Sequence, residues 1–274
     1  MDTKVIGFLV IGLVIGLGVG YAIPVYLLAP APPAEEVDLL QTIIDRGYIN
    51  VGTSSGWPPF EMINTTTSEL YGFDIELVEM VVDFIETENS ATITVEWSDL
   101  AFDSLVGACS AGTIDLIAAA TFIEPDRTEV LAPSQWYIRT NMVLVVKNDS
   151  TLTATSYDDL DGYTVGVQTG TAEDYELDDH NTAGGSVTIQ RYTRPDTMFA
   201  DLEAGTIDAV FVDEPVLLLF SELYVLKTIL TITAPPTAFF MRYGDPDFRR
   251  AVDDAIASFF ADGSMDTLIA KWFG

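Results

Sequence analysis

The chain has 274 residues, and its 42 acidic and 12 basic side chains give a formal net charge of −30 at pH 7. This charge excludes nucleic-acid binding, which needs a basic surface facing the phosphates, and it disfavours docking on an anionic membrane surface. The single cysteine and single histidine provide no disulfide framework, and they argue against a metal site and against a Ser-His-Asp or Cys-His catalytic site. We therefore expect no cofactor and no nucleic-acid partner.

The first predicted element is an uncharged, apolar segment, Val5–Leu28. It is long enough to cross a hydrocarbon core of about 30 Å as a helix, and it exceeds the apolar core of about 7–15 residues in a cleaved signal peptide. Lys4, the only basic residue before it, favours a cytoplasmic N-terminus. We predict a transmembrane anchor over residues 1–28, a proline-rich linker over 29–36 and a large domain at the cell surface or in the periplasm. Whether the anchor is cleaved stays open.

An internal repeat organises the rest of the chain. The letters AGTID occur at Ala111–Asp115 and again at Ala204–Asp208, each time after an amphipathic segment and before a short apolar one. The glycine suits a left-handed helix cap, and the unbroken apolar runs Ile114–Ala118 and Ile207–Val212 indicate strands covered on both faces. Two similar units of alternating strands and helices are predicted. Their ligands are expected beyond the carboxyl ends of the strands.

Several further segments, in this order and at this spacing, resemble the polar amino-acid-binding branch of bacterial solute-binding protein family 3. They include VGTSSGWPPFE at Val51–Glu61, YGFDIELVE at Tyr71–Glu79, AAATFIEPDR at Ala118–Arg127 and AGTIDAVFVDEP at Ala204–Pro215. The resemblance covers roughly Leu39–Gly274. It implies the α/β type II periplasmic-binding-protein fold, with a ligand cleft between two lobes. Lobe 1 is predicted over residues 37–137 and 237–274, and lobe 2 over 143–234.

The resemblance also implies the roles of individual residues. Arg127 matches the arginine that binds the ligand carboxylate, and Asp213, from the other lobe, matches the acid that receives the ligand ammonium. Trp57 and Phe102 match the aromatic rings that enclose the ligand side chain. Purely structural roles are the alternatives: an ion pair with Asp126 or Glu129 for the arginine, a helix cap for the aspartate, and core packing for the rings. Thr171 and Ala172 match the hydroxyl and N–H donors at a helix start.

Three positions depart from the family pattern. Ser54 stands where several binders of basic amino acids or glutamine carry an aspartate, which disfavours a ligand with a cationic side chain. Phe122 replaces a serine or threonine that contacts the ammonium, so either Thr121 supplies that contact after a local shift or the contact is lost. Gln168, where some relatives are basic or apolar, could bind a polar side chain. Ala120 completes the predicted site.

The sequence thus predicts a tethered, monomeric, non-enzymatic binding protein. It would capture an amino acid with a neutral or polar side chain and pass it to the permease and ATPase of an ABC importer. Two alternatives stay open. Cyclohexadienyl or arogenate dehydratases share this fold and use a glutamate just after the GT loop, where Glu173 lies. A domain of this kind can also present its ligand to a sensor. The identity of the amino acid, or of an analogue, is left open as well.

Overall fold

The computed structural model describes residues 38–274. The predicted anchor and linker, residues 1–28 and 29–36, lie outside this range. Across the described residues, none of the helices combines the length and the apolar character that crossing a membrane requires.

The described part alternates short strands with helices. The helices are α1 Leu39–Arg46, α2 Phe73–Asn89, α3 Leu105–Ser110, α4 Pro125–Val130, α5 Ala172–Thr182, α6 Pro195–Ala204, α7 Leu217–Leu223, α8 Pro246–Asp262 and α9 Ser264–Phe273. The strands are β1 Tyr48–Thr53, β2 Met62–Ile63, β3 Leu70–Tyr71, β4 Thr94–Asp99, β5 Leu116–Ile117, β6 Leu131–Pro133, β7 Asn141–Lys147, β8 Thr164–Gln168, β9 Thr188–Tyr192, β10 Ala209–Asp213, β11 Leu226–Thr233 and β12 Phe240–Arg242.

Ten of the strands form two five-stranded sheets, one in each lobe, and β2 and β3 form a separate two-stranded sheet. The first has the order β4-β1-β5-β12-β6, and the second has the order β11-β7-β10-β8-β9. In the first sheet β1 is parallel to β4 and β5, and in the second β8 is parallel to β9 and β10. The prediction of an α/β chain with two lobes is confirmed.

The sequence repeat is also a structural repeat. The main-chain N–H of Asp115 donates to the carbonyl of Asn50, and the Asp115 carboxylate accepts from the Asn50 N–H, both at 2.8 Å. In the second lobe Asp208 makes the same two bonds with Thr164, also at 2.8 Å. Each AGTID motif therefore joins the start of one strand to its parallel neighbour. The glycines before these aspartates, Gly112 and Gly205, have φ values of 73° and 75°, in the left-handed region that the sequence predicts.

The two lobes also pack their strands in the same way. A Cβ atom added at Gly52 in β1 would overlap the side chain of Ile114, and one added at Gly166 in β8 would overlap that of Ile207. Each glycine lets the isoleucine of the AGTID motif lie directly on the neighbouring strand. The core of each lobe thus reaches close to the carboxyl ends of its central strands, where the cleft begins.

The chain passes between the lobes near residues 138–141 and 233–237. Thr237 pairs with both Phe122 and Ile138 in isolated β-bridges, so the two connections lie side by side. After the second connection, α8 packs against α1 and α2, and α9 also packs against α2. The C-terminal helices therefore return to the first lobe, as the sequence predicts. The residue bounds proposed for the lobes stay a prediction.

Candidate functional site

A small cavity lies between the lobes, at the carboxyl ends of the central strands. Ligand sites of open α/β sheets occur at this edge. Every predicted site residue except Ser54 and Thr121 lines the cavity. The lining residues are Trp57, Phe102, Ala119, Ala120, Phe122 and Arg127 from lobe 1, and Gln168, Thr171, Ala172, Glu173 and Asp213 from lobe 2.

Arg127 supplies the positive charge of the cavity. It lies in the first turn of α4 and is 6% exposed. Its guanidinium donates to the carbonyl of Phe122 at 3.0 Å and, across the cleft, to the carbonyl of Gly170 at 3.1 Å. The Glu124 carboxylate lies 2.5 Å from it, and the ring of Phe102 lies 5.4 Å from its central carbon. The planar cation is therefore held in one orientation, and its N–H groups donate to main-chain carbonyls of both lobes.

Asp213 supplies the negative charge from the opposite lobe. It is the last residue of β10 and is 4% exposed. Its Oδ2 accepts a hydrogen bond of 2.8 Å from the indole N–H of Trp57, which joins the two lobes. Its Oδ1 has no hydrogen-bond partner among the described residues. Burial and the nearby carboxyl of Glu173 raise the pKa of Asp213 well above its usual range.

The structural roles that the sequence offered as alternatives for these two residues are not the ones observed. Arg127 pairs with Glu124 rather than with Asp126 or Glu129. Asp213 precedes the short 3-10 helix of residues 214–216, but its side chain makes no capping hydrogen bond there. Both charged groups face the cavity instead.

Glu173 is a cleft residue that the sequence prediction did not place in the ligand site. It is the second residue of α5 and is 1% exposed. Its carboxyl lies within hydrogen-bonding reach of Asp213 and of the Thr171 hydroxyl, and burial raises the pKa of Glu173 to about 7. Its Oε1 has no hydrogen-bond partner in the described part of the chain. The position of Glu173 in the helix turn after Thr171 is the sequence signal that could have placed it in the cleft.

The loop at Ala120 is held by a buried acid behind it. Ala120 has a φ of 48°, in the left-handed region that non-glycine residues rarely adopt. Its N–H donates to Asp74 at 2.8 Å, and the hydroxyl of Tyr137 donates to the same carboxylate oxygen at 2.8 Å. Burial raises the pKa of Asp74 to about 7. This support joins α2 to the cleft loop, and nothing in the sequence pattern predicted it.

Ser54 and Thr121 lie outside the lining of the cavity. Ser54 is buried just after β1. The hydroxyl of Thr121 donates to the carbonyl of Ala119 at 3.1 Å, so its hydrogen is used by the main chain. Whether Thr121 replaces the hydroxyl that is missing at Phe122 stays a prediction, since its oxygen can still accept from an ammonium. Gln168 does line the cavity, and its amide donates to the carbonyl of Thr193 at 3.0 Å, which orients the side chain.

Within residues 38–274, the acidic, histidine and cysteine side chains form no cluster that could hold a metal ion. The site instead offers one buried guanidinium, buried carboxyls and aromatic rings. Such a set can bind a small molecule that carries both a negative and a positive group.

The chain resembles known proteins over nearly all of the described range. The family model of the bacterial extracellular solute-binding proteins, family 3, matches residues 49–274. The L-cystine-binding protein TcyJ of Escherichia coli K12 is 30% identical over 243 residues, covering 86% of this chain and 86% of its own. The histidine-binding periplasmic protein of the same strain is 28% identical, covering 82% of this chain and 87% of its own.

Solved structures agree with the sequence comparisons. A mutant of ArgBP from T. maritima has a TM-score of 0.78 and 28% identity, covering 85% of this chain and 98% of its own. The ancestral amino-acid-binding protein AncCDT-1, a precursor of cyclohexadienyl dehydratase, has a TM-score of 0.77 and 25% identity, covering 86% of this chain and 100% of its own. The fold, the interlobe cavity and the match over residues 49–274 lead to one conclusion: this chain belongs to the bacterial extracellular solute-binding proteins, family 3.

Proposed function

We propose that the protein captures a free α-amino acid between its lobes and delivers it to the permease and ATPase of an ABC importer. The observation that carries this proposal is the placement of two buried, opposite charges, Arg127 and Asp213, on opposite lobes of one cavity. A zwitterion needs one fixed cation and one fixed anion when it leaves water. The relatives named as cystine-, histidine- and arginine-binding proteins support the same class of ligand.

The ligand carboxylate would bind the guanidinium of Arg127 from lobe 1. The N-terminus of α5, at Thr171 and Ala172, would provide further donors from lobe 2, since the first N–H groups of a helix favour an anion. The ammonium would bind Asp213, whose Oδ1 is unpartnered in the described residues. The ring of Trp57 would cover the side chain. Each half of the ligand would thus contact a different lobe, and binding would stabilise the closed cleft.

We propose a neutral or modestly polar ligand side chain, because Ser54 stands where binders of basic amino acids carry an acid. The oriented amide of Gln168 would then be the polar contact for the side chain. The test is calorimetric titration with each of the twenty amino acids. Micromolar or tighter binding of at least one neutral amino acid is expected, and a preference for lysine or arginine would contradict this specificity.

Ser54→Asp is expected to shift the preference toward basic amino acids by at least about tenfold, because one additional favourable charge contact of about 1.4 kcal/mol corresponds to that ratio. The measurement is the ratio of the Kd values for lysine or arginine and for the best neutral ligand. Ser54→Asn is the matched control, because it adds similar volume without charge. An unchanged ratio in Ser54→Asp would show that this position does not set specificity.

Attachment to the cytoplasmic membrane is proposed through the apolar segment Val5–Leu28, which is long enough to cross the bilayer. The full chain is expected in the membrane fraction with its N-terminal segment intact. N-terminal sequencing of protein from native membranes measures this directly. A mature N-terminus beyond Ala34 would show that the segment is removed.

A dehydratase is the second candidate function, and a specific observation favours it. Glu173 is a buried carboxyl in the cleft whose pKa is raised to about 7, which suits a general acid. The assay is product formation from arogenate or prephenate. The binding function predicts no turnover.

A further inference from the structure

The cleft holds more negative charge than a zwitterion can balance. Among the described residues that line the cavity, Arg127 is the only cation, whereas Glu173 and Asp213 are both acids. Arg127 is already paired with Glu124. A zwitterionic ligand adds one charge of each sign and leaves the surplus unchanged. At least one carboxyl must therefore either keep a proton or stay ionised without a counter-ion in a buried site.

Glu173 and Asp213 are close enough to share that proton. Both side chains line the cavity from lobe 2, where each influences the pKa of the other, and both residues are less than 5% exposed. Each also has one oxygen without a partner in the described range. Two adjacent buried carboxyls repel when both are ionised, so one of them holds a proton and the pair titrates as a unit.

The surroundings decide which carboxyl keeps the proton once a ligand is present. The indole N–H of Trp57 and the ligand ammonium both favour ionised Asp213. The groups that face Glu173 are Asp213 from β10, Glu124 from the residue before α4, the Thr171 hydroxyl from its own helix start, and Tyr157 from the 3-10 helix of residues 157–160. Arg127 lines the same cavity. The acids around Glu173 outnumber the one cation, and that cation already has an acidic partner.

We propose that Glu173 is a specificity-determining residue that becomes protonated when a zwitterionic amino acid binds, so that binding is coupled to uptake of one proton. The bound cleft would then hold ionised Asp213 against the ammonium and neutral Glu173 beside it. A ligand with a second positive group would instead pair with ionised Glu173 and would need no proton. The inference rests on the amino-acid clamp proposed above.

The sign of the pH dependence follows from this arrangement. Burial in the closed cleft raises the pKa of Glu173 above its ordinary value, and an open, solvated cleft would remove this burial and leave the pKa closer to that ordinary value. At a pH below both pKa values Glu173 holds the proton in both states, so it contributes no pH dependence there. Between the two pKa values closure takes up a proton, and affinity for a zwitterion falls by up to about tenfold per pH unit. Above the pKa of Glu173 in the closed cleft, Glu173 is ionised in both the open and the closed state, and affinity no longer depends on its titration.

The test is calorimetry with the best neutral amino acid from pH 5 to 8, in pairs of buffers that differ in ionisation enthalpy. For the wild-type protein, Kd is expected to rise between pH 5 and 7 by up to about tenfold per pH unit, with net uptake of protons on binding. Glu173→Gln cannot ionise, so it should lose both the slope and the uptake. Glu124 remains in both proteins, and the comparison therefore isolates Glu173. Asp179→Asn, at an exposed acid of the same helix, is the control and should keep the wild-type profile.

The outcomes separate the two proposals. A Glu173→Gln protein with the wild-type slope would overturn the role of Glu173 and leave the amino-acid clamp intact. Absence of proton uptake by the wild-type protein would also overturn the role of Glu173, and this result does not depend on whether the variant folds. Failure of every amino acid to bind at pH 5 would overturn the clamp, and with it the inference about Glu173.

Discussion

Arg127→Ala is expected to weaken binding of the amino-acid ligand by roughly two orders of magnitude or more. Removing one half of a buried charge pair leaves the other half without a counter-ion, which costs about 2–5 kcal/mol. Here the ligand carboxylate would lose its bidentate partner, and Glu124 would also lose the guanidinium 2.5 Å away. The measurement is the Kd by calorimetry, with the circular dichroism spectrum and Tm recorded on the same protein to establish that the fold is kept.

Two further variants test whether the effect belongs to the guanidinium. Arg127→Lys keeps the charge but loses the planar fork, so an intermediate loss of affinity is expected. Arg250→Ala removes a largely exposed arginine of α8 and should leave the Kd within about twofold. If Arg127→Ala binds the ligand within threefold of the wild type, the carboxylate is held elsewhere and the clamp is wrong.

Asp213→Ala is expected to reduce affinity by a similar factor, because the ligand ammonium would be buried without a fixed anion. The variant also removes the acceptor of the 2.8 Å hydrogen bond from Trp57, which links the lobes in this structure. Asp213→Asn separates the two effects, since the amide oxygen can still accept from the indole but carries no charge. Calorimetry should show a large loss in both variants.

The result for Asp213→Asn is the decisive one of the pair. Near wild-type affinity in Asp213→Asn would mean that the hydrogen bond to Trp57 matters and that the charge does not. The ammonium contact would then have to be assigned to another group. A large loss in Asp213→Asn, with an unchanged Tm, would leave the electrostatic contact as the cause.

The sequence predicted the two-lobed fold because it repeats a short motif with a physical role. The AGTID copies place Asp115 and Asp208 at equivalent positions, where each carboxylate accepts from the start of a neighbouring strand. The predicted strands at Ile114–Ala118 and Ile207–Val212 correspond to β5 and β10, although β5 is limited to Leu116–Ile117 and β10 ends one residue later, at Asp213. Hydrophobic pattern locates a strand, whereas its ends depend on which neighbours pair with it.

The cavity lining followed from the order of the motifs, but the contacts within it did not. Pairing of Arg127 with Glu124 and of Trp57 with Asp213 depends on side-chain rotamers and on closure of the lobes. The support of Ala120 by Asp74 joins residues 46 positions apart. Periodicity and motif spacing describe faces and strand ends, so they do not show which side chain at the end of a strand turns into the cleft. Ser54 and Thr121 are buried beside the cavity for this reason.

The central claim is that one ligand is held by its carboxylate on one lobe and by its ammonium on the other. The most direct test is calorimetric titration with the best amino acid, with its decarboxylated amine and with its deaminated acid. The account predicts measurable binding of the amino acid and a loss of roughly 100-fold or more for each analogue, since each leaves a buried charge unpaired. Equal affinity for either analogue would contradict the account.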